Sequence, residues 1–213
     1  MKVSSLSFAD QAFIPERYAF GRIDPDIHIA LADNINPQLI WDDVPAGTKS
    51  FVVICHDPDA PTSADDVNQE GRTVPADLPR TNFYHWILVD VPADRREIEE
   101  GEFSNSITPR GKGGPLAAGD TRQGINDYTS WFAADRDMSG EYFGYDGPCP
   151  PWNDEINHRY IFTVYALDID TVPVDGSFTA AQVLERIQGH ILDQASIMGL
   201  YTLNPDLAPK ALG

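Results

Sequence analysis

Apolar residues in this chain gather in short dense blocks separated by long polar stretches, the pattern of buried strands joined by loops. The densest block, Arg159 to Leu167, is rich in aromatic and β-branched residues and reads as a strand. Both of its alternating faces are largely apolar: Tyr160, Phe162, Val164 and Ala166 on one, Ile161, Thr163, Tyr165 and Leu167 on the other. Such a strand belongs inside a sheet covered on both sides. Phe51 to Cys55 and Phe83 to Val91 repeat the pattern, stopped by Pro58 and Pro61 in the first case and by Pro92 in the second. Ser4 to Phe13 and Ile27 to Ala32 are weaker extended segments, and Asn36 to Trp41 is a turn entering a strand. Arg95 to Gly101 has room for one helical turn. Thr179-Ala180-Ala181-Gln182 has the capping-box pattern, and Val183, Ile187 and Ile191 behind it make an apolar stripe. One helix over about residues 179–193 follows, with Ala195 to Thr202 alternating as a last strand and a loose tail from Pro205.

Two long polar stretches remain, Thr62 to Asn82 and Ser104 to Asn126. The second contains Gly111-Lys112-Gly113-Gly114, whose spacing does not fit a phosphate-cradling loop, and it reads as flexible connection. Buried strands, long loops and one late helix predict a mainly β fold, an antiparallel β-sandwich with a C-terminal helix, in a single domain over 1–213.

Charge narrows the partners. The formal net charge is −18 over 213 residues, which argues against nucleic acid and against stable association with anionic membranes. Lysine occurs only at positions 2, 49, 112 and 210, and Asp outnumbers Glu, as in proteins adapted to high salt. The fold should therefore lose stability on transfer from molar salt to dilute buffer; equal stability in both would contradict a halophilic origin. No apolar run approaches the roughly 20 residues of a membrane span, and MKVSSLSFADQAF lacks a signal-peptide core, so a cytoplasmic location is expected. Cys55 and Cys149 are read as two free buried thiols rather than a disulfide framework.

His56, His85 and His158 sit where buried strands meet proline-rich turns, as do Asp57 and Asp59. Pro148, Pro150 and Pro151 make a stiff rim that places His158 and Tyr160 at the mouth of a buried strand. A histidine inside an apolar strand is more often a hydrogen-bonded core residue than a functional one. Brought together, imidazoles, a tyrosine hydroxyl and a carboxylate that fixes their protonation would suit a phosphate- or carboxylate-like anion. The same His and Asp residues could ligate zinc or iron, but no HExxH or paired-cysteine spacing supports it. There is no GxSxG elbow, and Cys149 lies between prolines rather than at a helix N-terminus, so it reads as an apolar filler.

Asp57-Pro58-Asp59-Ala60-Pro61, then His85-Trp86, then Gly147-Pro148-Cys149-Pro150-Pro151 followed by His158-Arg159-Tyr160, resembles the phosphatidylethanolamine-binding protein family, which includes Raf kinase inhibitor protein. The likeness is to its bacterial and archaeal branch, and it spans about Asn36 to Thr202. It implies a large antiparallel sheet against a smaller one, with a small anion pocket for phosphate, acetate or phosphorylated head groups. Carried over by motif, Asp57, Asp59, His85, Pro150, Pro151, His158 and Tyr160 are the expected ligand-binding residues, with no catalytic residue, metal or cofactor. The implied function is non-catalytic anion binding, with modulation of a kinase or protease partner as in eukaryotic relatives. The rival is a metal-assisted or His/Asp hydrolase of a small phosphorylated or acylated substrate. The oligomeric state is open between monomer and homodimer. Three features depart from the family pattern: Trp152-Asn153-Asp154-Glu155 brings two carboxylates near an anion site, the loop from Thr62 to Asn82 is long enough to cover the mouth, and the net charge repels anions. Anion binding is expected to weaken as pH rises through the ordinary imidazole pKa of roughly 6.5.

Overall fold

The computed structural model describes residues 1–209. Among these residues are ten strands: β1 (Lys2–Ser4), β2 (Gly21–Asp24), β3 (His28–Leu31), β4 (Leu39–Asp42), β5 (Ser50–Pro61), β6 (Arg80–Pro92), β7 (Glu97–Ile98), β8 (Arg122–Gln123), β9 (His158–Leu167) and β10 (Ile191–Tyr201). Two helices, α1 (Tyr128–Trp131) and α2 (Ala180–Ile187), complete the regular structure apart from short 3-10 turns. A five-stranded sheet in the order β10-β9-β5-β6-β8 faces a three-stranded sheet, β1-β4-β7, and β2 and β3 form a separate hairpin. All of these pairings are antiparallel.

Side-chain alternation builds the layers. Phe51, Val53 and Cys55 of β5 join Phe162, Val164 and Ala166 of β9 in a core shared with Leu39, Trp41 and Ile98 of the small sheet. The intervening residues Val52, Ile54, Ile87 and Val89 point the other way, onto Val183 and Ile187 of α2. The large sheet is thus covered on both faces, which is why its strands read as continuous apolar runs. Thr179 caps α2 through the full capping box with Gln182. Its replacement by alanine should cost about 1 kcal/mol, read as a drop of about 2–4 °C in Tm.

Several boundaries differ from the sequence reading. β5 does not stop at Pro58 but continues to Pro61, because register shifts between Asp57 and Ala60 relieve the ladder where a proline cannot donate. Residues 95–101 hold a short strand, not a helical turn: Leu39 pairs with Ile98, whose side chain becomes fully buried. The helix ends at Ile187, followed by Gly189 at φ 89°, so Ile191 opens β10 instead of completing the helical stripe. The last strand expected over Ala195 to Thr202 is present and starts earlier, β10 pairing with β9 from Ile191 to Tyr201. Of the segment from Ser4 to Phe13, only Ser4 is in a strand, and Phe13 makes a lone bridge to Leu200. The tail from Pro205 turns back on Asn204, with Leu207 and Ala208 N–H donating to its carbonyl, and its end lies outside the described residues.

Candidate functional site

Antiparallel pairing places the C-terminal end of β5 beside the N-terminal ends of both β6 and β9: His56 pairs with Ile161, and Asp57 with Phe83. Alternation along regular strands then turns Asp57, His158 and Tyr160 to one face, the face of Cys55 and Phe162. His85 reaches that face by a different route. Alternation alone would align it with Ile87 and Val89, towards α2. Cys55 pairs with Trp86 and His56 with Tyr84, so His85 is the extra residue of a bulge, which re-aims its side chain.

The four side chains line a common cavity of about 330 Å3, together with Pro150 and Pro151. Asp59 does not line it. Its carboxylate instead accepts from the Arg159 side chain at 2.7 and 2.8 Å and from the Arg159 N–H at 2.9 Å. Burial alone would raise the Asp59 pKa, but these bonds outweigh it and hold the carboxyl below its ordinary value. His56 also lies outside the cavity lining, tilted against Tyr84.

The two cavity histidines carry different charge. Both ring nitrogens of His158 donate to carboxylates, Nδ1 to Asp57 at 2.7 Å and Nε2 to Asp154 at 3.0 Å. Burial would lower its pKa, but the two anions outweigh it and push the value up to about 9. The ring is an imidazolium at neutral pH. Asp154 also accepts a two-pronged contact from Arg80 at 2.6 and 3.0 Å, and His158 and Arg80 together hold its carboxyl low against its burial. For His85, burial dominates and pushes the pKa down to about 4. Its Nδ1–H donates to the Asp146 carbonyl at 2.8 Å, which leaves Nε2 as the acceptor of a neutral ring.

Stability should record both shifts. The raised pKa of His158 contributes stability that is full below the unfolded value of about 6.5 and is lost as pH rises through about 9. The depressed pKa of His85 acts oppositely: below about 6.5 the unfolded ring takes a proton the folded ring refuses, so stability falls as pH drops towards 4. Denaturant midpoints measured from pH 4 to 10 should peak between about 6 and 7. In His85→Gln the acid limb should flatten.

Behind His85 lies a buried polar network. The Asp146 carboxylate accepts from Asn34 and Asn126, each at 2.8 Å, and pairs with Lys112 at 3.4 Å. Lys112 is therefore anchored, not part of a flexible connection; burial lowers its pKa and raises that of Asp146. Gly147 must be glycine here, since a Cβ would come within 2.1 Å of the Tyr18 carbonyl oxygen. Cys55 and Cys149 are both free thiols. Cys149 lines the cavity, and burial pushes its pKa up to about 12, so it stays protonated.

The loop after β5 does reach the mouth, through Val67 and Asn68. It is strapped there by Asn153, whose amide donates to the carbonyls of Asp66 and Arg72 at 2.8 and 3.0 Å and accepts from the Asn68 N–H at 3.0 Å. Of the two extra carboxylates, Asp154 joins the site, while Glu155 accepts from the Ala76 N–H at 3.1 Å. Tyr160 is fully buried, and its hydroxyl has no hydrogen-bond partner among the described residues. Its ring lies edge-to-face with His85 at 5.1 Å.

A family model described as phosphatidylethanolamine-binding protein matches residues 4–202. The chain is 36% identical over 202 residues to the UPF0098 protein YbhB of Escherichia coli (strain K12), covering 95% of this chain and all of that one. It is 31% identical to a UPF0098 protein of Methanothermobacter thermautotrophicus, over 94% of this chain and 98% of the relative. Among solved structures it is similar to Escherichia coli YbcL, described as a new member of the mammalian PEBP family. There the TM-score is 0.67 and the identity 26%, covering 94% of this chain and 97% of the other. A second, a homologue from Chlamydia trachomatis, gives a TM-score of 0.62 at 27% identity, covering 94% and 95% of the two chains.

Proposed function

The chain belongs to the phosphatidylethanolamine-binding protein family, and from that premise we propose that it is a non-catalytic binding protein whose cavity holds a small phosphate-type anion. The observation that carries this reading is the Tyr160 hydroxyl, fully buried and without a partner on a side chain that lines the cavity. An orphaned buried hydroxyl costs about 1–3 kcal/mol, and a ligand oxygen in the cavity would satisfy it. His85 Nε2 and the Asp57 carboxylate face the same cavity as acceptors, each a partner only for a ligand oxygen that carries a proton. The anion does not enter a ring of free cations: Arg80, Arg159, Lys112 and His158 are each turned to a carboxylate. It is taken up with a proton, which lies between a ligand oxygen and His85 Nε2. The non-catalytic reading is supported by a protonated Cys149 and by a His158 whose two nitrogens are both engaged, leaving neither as nucleophile nor as general base.

Titration of the protein with inorganic phosphate at pH 6 tests this. Saturable binding without turnover of phosphate esters is expected, weakened about tenfold in Tyr160→Phe, the loss of one bond to a charged group. The variant should fold at least as stably as the parent, because it removes an unsatisfied group. No binding in the parent protein, or ester hydrolysis that His158→Gln abolishes, would overturn the proposal.

A further inference from the structure

Three elements that line the cavity meet at one residue. The β2–β3 hairpin contributes Ile29 and Leu31, the loop after β5 contributes Val67 and Asn68, and the turn before β9 contributes Pro150 and Pro151. His28, on the hairpin, touches the other two. Its ring stacks on Trp152 at 3.9 Å and 7°, and its Nε2–H donates to the Glu70 carboxylate at 2.6 Å. Among the hydrogen bonds of the described residues, this one alone joins the hairpin to the loop. His28 also holds a left-handed backbone, φ 68°, which glycine adopts without strain. A side chain kept at such a position points to a role for it.

The hairpin and the loop are held unequally. The loop is fixed to the turn before β9: Asn153 straps it, Asn68 Oδ1 accepts from the Trp152 N–H at 3.0 Å, and Val74 bridges Asp154. The hairpin is a separate two-stranded sheet anchored at its base. There the Phe20 and Gly21 N–H groups donate to the Pro148 carbonyl at 2.9 and 3.2 Å, and the Tyr201 hydroxyl donates to the Gly21 carbonyl at 2.8 Å. Towards the tip, Ile23 and Ile29 rest partly buried on the core, and Ile27 stands 68% exposed.

We propose that the hairpin tip is a flap over the cavity and that His28 is its latch, closed on Glu70 and Trp152. Both partners of the latch bond are exposed, Glu70 more than His28, and an exposed bond of this kind is weak. The open form is therefore thermally accessible, while the loop stays strapped to its turn. The flap governs entry whatever the cavity holds, so its test needs no ligand.

Two free thiols report the opening. Cys149 lines the cavity, whereas Cys55 lies in the core between the sheets. N-phenylmaleimide, bulky and uncharged, should modify Cys149 in the free protein and leave Cys55 protected, each thiol being read by peptide mass. Burial pushes the Cys149 pKa up to about 12, so alkylation is slow and its rate reports the open population. His28→Gly keeps the left-handed turn and removes the latch. It should raise the Cys149 rate about fivefold, the scale of one exposed pair and one ring stack. Glu70→Ala should raise the rate less, and the double variant no further than His28→Gly. An unchanged Cys149 rate in His28→Gly, a gain matched at Cys55, or single effects that multiply in the double variant would overturn the inference.

Discussion

His158→Ala is expected to lower the stability of the fold by about 3–5 kcal/mol, the typical cost of stripping one partner from a buried ion pair. The imidazolium lies between Asp57 and Asp154, all three being buried, at 2.7 and 3.0 Å. Its removal leaves Arg80 to compensate Asp154 but leaves Asp57 with the Asp59 N–H, a neutral donor at 2.7 Å, as its remaining hydrogen bond among the described residues. In a domain of this size the loss corresponds to a fall of about 6–20 °C in Tm. The effect should be non-additive. Asp57→Asn in the same chain removes the uncompensated charge, so the double variant should be more stable than His158→Ala alone. A purely space-filling role for His158 predicts instead that the two losses add.

The second large effect concerns pH. A permanently ionised tetrahedral anion such as sulfate brings no proton, so the cavity must take one from solution to bind it, at His85. The free ring has a pKa of about 4, and a bound anion raises it, because an opposite charge favours imidazolium. Between the free and bound values, sulfate affinity should fall about tenfold for each pH unit gained. Inorganic phosphate carries its own proton below its second pKa, which lies about one unit above the value of about 6 for a phosphate ester, so its affinity should be nearly level there and fall only above it. His158 contributes nothing to either profile below pH 8, since it stays charged up to about 9. The pH dependence expected from ordinary imidazoles near 6.5 is thereby replaced by one that differs between the two anions. Isothermal calorimetry across pH 5–8 separates the two cases, and His85→Gln should abolish the slope for sulfate.

How far the site could be read in advance follows from how each residue reaches it. Asp57, His158 and Tyr160 stand on regular antiparallel strands, where period-two alternation fixes the face once the strands are recognised, so their convergence was legible. His85 was legible as a polar interruption in an apolar strand, but not its orientation, which depends on a bulge that shifts pairing between Cys55 and His56. Asp59 has the same composition and proline context as Asp57, yet it turns to Arg159; nothing in the motif distinguishes the two. The buried network behind His85 left no local signal, because Asn34 and Asp146 meet across 112 positions. Lys112 was misread for a related reason: glycines on both sides suggested mobility, whereas its ammonium is held by Asp146 and the Ser104 hydroxyl. Asp154 did carry a signal, as one of two acidic residues set beside the expected anion site, and the structure makes it the second anchor of His158.

Fold boundaries failed where tertiary pairing overrode local preference. The segment around Glu97 has no strand propensity to speak of, but pairing with β4 buries Ile98 completely. The helical stripe through Ile191 was broken by Gly189, whose positive φ ends the helix and releases the following residues to pair with β9. In both cases the period of the apolar residues was real, and a neighbouring strand claimed them first.

The position of a bound anion is the most direct test. A crystal of the protein grown with phosphate should show the ion in the cavity, with one oxygen within hydrogen-bond distance of Tyr160 Oη and another within reach of His85 Nε2. Phosphate found instead on the Arg110–Pro115 loop, or a cavity left without it at saturating concentration, would contradict the account.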